Sequence, residues 1–269
     1  MTDLKSIADS LRAAYTGAPI KPIVANLTKQ YETKTSMLDA AYKIQDINTQ
    51  FWTQQGRKVT GRKIGLTSKS VQEQLGVSEP DFGMLFDDMA RPHGDRIDFN
   101  SLIQPKIEAE IAFRANSDIT EAPESEEHLA ELLYAAYPAL EIVDSRIENW
   151  KISLSDTVAD NASSALYVLG TAISPVDIHE TISAKMQMFE NDDLISTGSG
   201  SDCMGGPLTA ALWLVRKMIN VGRPVRTGDI ILSGALGPMA QVKPNKKYRA
   251  EIEGFGAVEV YFGPDDTTK

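Results

Sequence analysis

Hydrophobic periodicity changes once along this chain, and that change restricts the fold more than any other feature. Over residues 3–15, Leu4, Ile7, Ala8, Leu11 and Ala14 recur at three- and four-residue spacings, the stripe of an amphipathic helix. Gly17, Pro19 and Pro22 break it. A second helix is predicted to start near Thr35-Ser36, with Ser36 as its cap and Asp39 three residues on. It carries Met37, Ala41, Ile44, Ile47 and Phe51 and ends at Gly56. Beyond it the pattern turns to short β-tolerant runs at 59–66, 103–113, 139–143, 166–173, 230–233, 239–242 and 248–262. A further run at 186–195 reads as a hairpin turning at Asn191-Asp192-Asp193. One amphipathic helix at about 207–221 interrupts them, with Gly222 just past its end. Many short strands with few helices predict an α+β chain built on a β-rich barrel or sandwich. Two helices do not make a domain, so residues 1–56 read as a helical cap on a core of 57–263, followed by a fraying tail, 264–269.

Charge narrows the partners. Lys and Arg number 27 against 37 Asp and Glu, a net charge of −10, which argues against nucleic acid or an anionic membrane surface. An anionic small molecule would need a local cation or a metal to bind. Cys203 is the one cysteine of the 269 residues, which excludes an intrachain disulfide framework and fits a reducing compartment. No apolar run approaches the roughly 18–20 residues of a membrane span. The start, Met1-Thr2-Asp3-Leu4-Lys5-Ser6, lacks a basic and then apolar leader, so a cytoplasmic location is expected.

The chemistry concentrates in Ile107-Glu108-Ala109-Glu110-Ile111. On a strand, Glu108 and Glu110 share one face while Ile107, Ala109, Ile111 and Phe113 occupy the other. Ala139-Leu140-Glu141-Ile142-Val143 places one more glutamate among aliphatic residues. Such a pattern also describes the wet face of a half-exposed sheet. Three carboxylates brought together would instead make a hard oxygen site suited to Mg2+ or Mn2+. His93, His128 and His179 are scattered, so neither zinc nor a histidine-based triad is supported. There is no G-x-G-x-x-G after a strand and no Walker-type loop. Asp81-Phe82-Gly83 stands without the other kinase signatures.

Several segments, in order, resemble the 2-keto-4-pentenoate hydratases of the fumarylacetoacetate hydrolase superfamily. They are Gly61-Arg62-Lys63-Ile64-Gly65-Leu66-Thr67, Gln74-Leu75-Gly76-Val77, Pro80-Asp81-Phe82-Gly83, and Gln104-Pro105 leading into the glutamate strand. Pro138-Ala139-Leu140-Glu141 and the stretch from Asp156 to Ser163 follow. Arg226-Thr227-Gly228-Asp229-Ile230-Ile231-Leu232 and Gly234-Ala235-Leu236-Gly237-Pro238-Met239 complete the set. The resemblance implies a mixed β-roll or barrel with peripheral helices. It also implies a step in meta-cleavage breakdown of aromatic compounds, in which a 2-hydroxy-2,4-dienoate is ketonised and hydrated to a 4-hydroxy-2-oxo acid.

Carried onto this chain, the resemblance implies Glu108, Glu110 and Glu141 as ligands of Mg2+ or Mn2+ and Lys63 and Asp81 as catalytic groups. Ser163 then lines the substrate site, with Asp160 and Leu85 in the same pocket. It further implies a homo-oligomer and an association with a pathway decarboxylase or aldolase. The closest alternatives are the related 2-oxo-3-hexenedioate (4-oxalocrotonate) decarboxylase, or a non-catalytic partner subunit of it. A diacid substrate would call for an extra cation at the far end of the pocket.

Overall fold

The computed structural model describes residues 4–68, 72 and 79–263. The motif Gln74-Leu75-Gly76-Val77 and the tail 264–269 lie outside the described residues. Helix α1 spans Leu4–Ala14, α2 Val24–Leu27 and α3 Lys34–Gln54. α3 starts earlier than its sequence suggests, because Thr33, extended at φ −117°, accepts from the Ser36 backbone N–H. The Ser36 side chain reciprocates as the third residue of a capping box rather than as the cap.

The strands are β1 (Val59–Gly65), β2 (Asp81–Phe86), β3 (Ala90–Arg91), β4 (Arg96–Asp98), β5 (Lys106–Ala115), β6 (Leu133–Val143) and β7 (Ser164–Leu169). Then come β8 (Lys185–Glu190), β9 (Asp193–Ser199), β10 (Ile230–Ala235), β11 (Ala240–Gln241), β12 (Lys246–Ile252) and β13 (Gly256–Gly263). They form two mixed sheets. The larger runs β2-β1-β10-β5-β6-β7-β3, with β11 added to β5, and the smaller runs β4-β13-β12-β8-β9. Parallel pairs β1·β10, β3·β7 and β4·β13 interrupt an otherwise antiparallel pattern. The smaller sheet packs on β6 and β7, and helix Pro207–Asn220 packs on β10 and β1. One apolar core joins them, including Phe113, Leu140, Tyr248 and Phe262. This is the α+β architecture that the period change implied, with the mixed sheets that the family resemblance implied.

Two elements depart from the linear pattern. β2 is buried along its whole length, so no alternation marks it. β6 begins six residues before the aliphatic run and carries Pro138 inside the sheet, opposite Ile111. The proline removes a donor, while its carbonyl still accepts from Gly170 N at 2.8 Å.

The N-terminal helices touch the main core through Tyr42 and Trp52 of α3, against Phe82 and Phe86, but bury most of their apolar side chains elsewhere. Ile7, Leu11, Leu27, Ala41 and Ile44 bury against Ile147, Val158 and Ala159 as a second cluster. Asp156, in the short helix Leu154–Ala159, ties the layers together. One carboxylate oxygen accepts from Ile23 N at 2.6 Å and Val24 N at 3.2 Å, and the other from Ser153 N and Oγ. Asp156→Ala leaves these donors unsatisfied and is expected to cost about 2–4 kcal/mol in a urea titration.

Candidate active site

In β5 and β6, Glu108 stands directly opposite Glu141, and Glu110 follows two residues on along the same face. Like charges in that register repel, and the cations of β5, Lys106 and Arg114, lie near the strand's ends, Lys106 over the Trp150 ring and Arg114 over the Tyr137 ring. Yet the three side chains converge. One carboxylate oxygen from each lies within 4.8 Å of the others, and all three residues are buried, Glu110 and Glu141 at 0% exposure. Glu110 Oε2 accepts from Gly234 N at 2.9 Å. Gly234 sits where the register of β10 against β5 shifts, at φ +107°, with no room for a Cβ beside Thr67. That bulge turns its N–H out of the ladder and onto the carboxylate.

Lys63 supplies the countercharge. Its Nζ lies 3.2 Å from Glu141 Oε1 and donates to the Ala162 carbonyl at 3.1 Å. Lys63 is on β1, three strands from β6 in the sheet order, or about 14 Å across a flat sheet. The contact therefore requires the sheet to roll, which brings β1 and β2 over the glutamates. Burial pulls the Lys63 ammonium down, but Glu141, Glu108, Asp81 and Glu110 together hold it above the ordinary lysine range. One ammonium does not balance the carboxylates. Burial and mutual repulsion push Glu108 up to about 7, and Glu110 well above its ordinary value. Burial also raises Glu141, against the pull of Lys63.

Glu110 Oε1 and Glu141 Oε2 are buried without a hydrogen bond, and Glu141 Oε1 has the Lys63 ammonium alone, at 3.2 Å. Buried polar atoms without partners are costly. Three hard anionic oxygens converging on one point fit a divalent cation better than they fit an empty core. Among the described residues this is the one cluster of three or more His, Cys, Asp or Glu with that geometry.

Asp81 opens β2 opposite Gly65 of β1. Both of its oxygens are buried without a hydrogen bond, and burial lifts its carboxyl to about 6, against the pull of Lys63. Ser163 Oγ lies 3.4 Å from Thr157 Oγ1. Lys63, Asp81, Glu108 and Ser163 all line one cavity of about 530 Å³, with Glu110 and Glu141 beneath Glu108.

Asp160 and Leu85 are not brought to this wall. The Asp160 carboxylate is occupied by Arg146, whose N and Nε donate at 2.9 and 2.6 Å. Leu85 is 1% exposed in the core. Proximity in sequence misplaces both. Asp160 follows a helix that carries it behind the Ser163 turn, and Leu85 shares the Asp81 face of β2 but lies four residues further along, opposite Gly61 in the core.

Two other wall residues, Trp150 and Ile152, lie in no motif read from the sequence. Trp150, Ile152, Val143, Leu66 and Met239 give the cavity an apolar side. Trp150 Nε1 donates to the Gln104 carbonyl at 2.9 Å, and Lys106 Nζ sits 4.3 Å from its ring centroid. The Gln104-Pro105-Lys106 segment thus has a structural purpose that its sequence hides.

A rolled mixed sheet with a buried triglutamate cluster and a lysine beneath a cavity defines the class. The chain belongs to the fumarylacetoacetate hydrolase family, whose C-terminal model, Fumarylacetoacetate (FAA) hydrolase C-terminal, matches residues 54–262. Within it the chain groups with the 2-keto-4-pentenoate hydratases, which are hydro-lyases. It is 48% identical to 2-keto-4-pentenoate hydratase 2 of Dechloromonas aromatica (strain RCB), over 91% of this chain and 92% of that one. It is 35% identical to 2-hydroxyhexa-2,4-dienoate hydratase of Comamonas testosteroni, over 97% and 96%. Among solved structures it resembles 4-oxalocrotonate decarboxylase from Pseudomonas putida G7, complexed with magnesium and adipate. That likeness has a TM-score of 0.88 and 26% identity, covering 96% of this chain and 97% of that one. No helix among the described residues is long and apolar enough to cross a membrane.

Proposed function

We propose that this enzyme hydrates 2-hydroxypenta-2,4-dienoate, or its six-carbon homologue, to the 4-hydroxy-2-oxo acid, with Mg2+ or Mn2+ held by Glu108, Glu110 and Glu141. The observation that carries this reading is the pairing of a triglutamate floor, in which Glu110 and Glu141 oxygens are buried without hydrogen bonds, with an apolar wall beyond it. When bound, the cation supplies Lewis-acid polarisation of the substrate's carboxylate and C2 oxygen.

The chain's own groups do the rest. Ser163 donates a hydrogen bond to the substrate carboxylate, and Trp150, Ile152 and Met239 hold the hydrocarbon tail and exclude bulk water. Loss of the C2 hydroxyl proton and protonation at C5 give the 2-oxo-3-enoate. Asp81, ionised above about pH 6, is the base for these transfers. It then takes a proton from the attacking water as hydroxide adds at C4 and returns that proton to C3. Lys63 keeps the site near neutrality as negative charge develops on the substrate.

The second reading, decarboxylation of a hexenedioate, is favoured by the structural likeness to the decarboxylase. A dicarboxylate, however, needs a cation at the tail end. Among the described lining residues Lys63 is the one cation, and it lies with the glutamates.

The test is loss of dienol ultraviolet absorbance with metal-stripped protein, with and without Mg2+ or Mn2+, followed by identification of the product. Metal-dependent 4-hydroxy-2-oxopentanoate is the expected outcome. Turnover is also expected to rise with pH through about 6, and Asp81→Asn to abolish that limb while lowering kcat by about 10²–10⁴-fold. Release of CO2 from the hexenedioate, without dienoate hydration, would select the second reading.

A further inference from the structure

Asn161, Ala162 and Ser163 hold φ angles of 56°, 52° and 54°. Three consecutive residues bearing a Cβ in the left-handed region are disfavoured, and such a stretch persists only where its surroundings impose it. Here the surroundings are specific. Asn161 Oδ1 accepts from Met84 N at 2.7 Å and its Nδ2 donates to Met84 O at 2.9 Å, so this one side chain pairs with β2 as a strand neighbour would. Gly83, opposite Lys63 in register, has no room for a Cβ because the Asn161 carbonyl and Ser164 Oγ lie against it. Arg146 closes the turn from behind, donating to the Asp160 carbonyl at 2.7 Å and the Ser164 carbonyl at 3.1 Å.

The product of this conformation is one contact and one cavity-lining hydroxyl. The Ala162 carbonyl receives the Lys63 ammonium, and Ser163 is presented to the cavity. A right-handed turn would point that carbonyl elsewhere and leave the ammonium with carboxylates alone.

We propose that Asn161 is a positioning residue: its two-bond clamp on Met84 maintains the left-handed turn that aims the Ala162 carbonyl at Lys63 and fixes the ammonium over the glutamates. The clamp fastens the turn to β2, whose Gly83 stands opposite Lys63 in register. The proposal rests on the reading of this cavity as the active site.

Asn161→Gly tests it, because glycine tolerates the left-handed backbone but lacks the clamp. On the holoenzyme, kcat is expected to fall by about 10–100-fold, the scale of a displaced catalytic group, with KM changed by less than about threefold. In a Lys63→Met background the same substitution is expected to change the residual rate by less than about twofold, since the two act through one contact. Reductive methylation with formaldehyde, followed by peptide mass spectrometry, is expected to modify Lys63 at least about tenfold faster in Asn161→Gly than in wild type, with the rate at Lys58 unchanged.

An unchanged kcat with unchanged Lys63 methylation overturns the proposal, as does a loss that persists undiminished in the Lys63→Met background. If wild type fails to hydrate the dienoate, the functional reading falls on its own, and the methylation rates still decide the positioning claim. Asn161→Asp keeps the acceptor for Met84 N and tolerates the same backbone. It supplies the same comparison should the glycine variant not fold.

Discussion

Glu110→Gln is expected to make the metal-free protein more stable while destroying its activity. The amide oxygen keeps the bond from Gly234 N, so the local fold has no reason to change. What disappears is one of three converging buried carboxylates, and relief of such uncompensated charge is worth about 1–4 kcal/mol. In a chain of this size that corresponds to a rise in Tm of roughly 2–8 °C. Affinity for Mg2+ or Mn2+ should fall by more than about 100-fold, beyond what loss of an outer-sphere partner causes, and hydration should fall with it. Calorimetry in chelator and a metal titration check the two halves separately. A variant less stable than wild type without metal would show that the carboxylates are not in conflict.

The same conflict gives a pH dependence with a definite sign. Asp81 is raised to about 6, Glu108 to about 7, and Glu110 and Glu141 are raised as well. A carboxyl whose folded pKa lies above its unfolded one binds more protons in the fold. Its contribution is fully present below the unfolded value and is lost as pH rises through the folded one. The metal-free protein should therefore lose Tm between about pH 4.5 and pH 8. Added Mg2+ should restore it, by a margin that grows with pH.

Lys63→Met is the second large effect, and it runs the other way. Lys63 is 2% exposed and forms the one ion pair with the glutamates among the described residues. Removing one partner of a buried ion pair costs about 3–5 kcal/mol, and the neighbouring carboxylates can recover part of it by taking up protons. Metal-free stability at pH 8 should drop accordingly and recover at pH 5. Turnover should fall by about 10²–10⁴-fold at every metal concentration, because saturating the cation site does not replace the ammonium. Urea titrations at the two pH values and initial rates across a Mg2+ series measure both. Full activity at saturating Mg2+ would confine Lys63 to a stabilising role.

Much of this protein is legible in its sequence because the relevant constraints are local. A strand's two-residue period places Glu108 and Glu110 on one face, and the switch of period near residue 57 separates helical from β-rich material. Gly222 and the Asn191-Asp192 turn mark a helix end and a hairpin where the structure has them. The motifs Gly65-Leu66, Pro80-Asp81-Phe82-Gly83 and Pro138-Ala139 point to the family without any coordinates.

Tertiary structure decided what depends on distance between segments. β2 is buried on both faces, so its sequence has no alternation to read. Asp160 and Ser163 are three residues apart, yet one is locked behind the turn by Arg146 and the other faces the cavity. A left-handed turn of non-glycine residues, which local preference opposes, sends them apart. The convergence of Lys63 with Glu141 needs a roll of the sheet that no single strand encodes, since roll accumulates from twist and packing over many strands. The sequence determined which groups this site can use. The rolled sheet and the Asn161–Ser163 turn decided which of them meet, because only packing between distant segments can hold like charges together and a strained backbone in place.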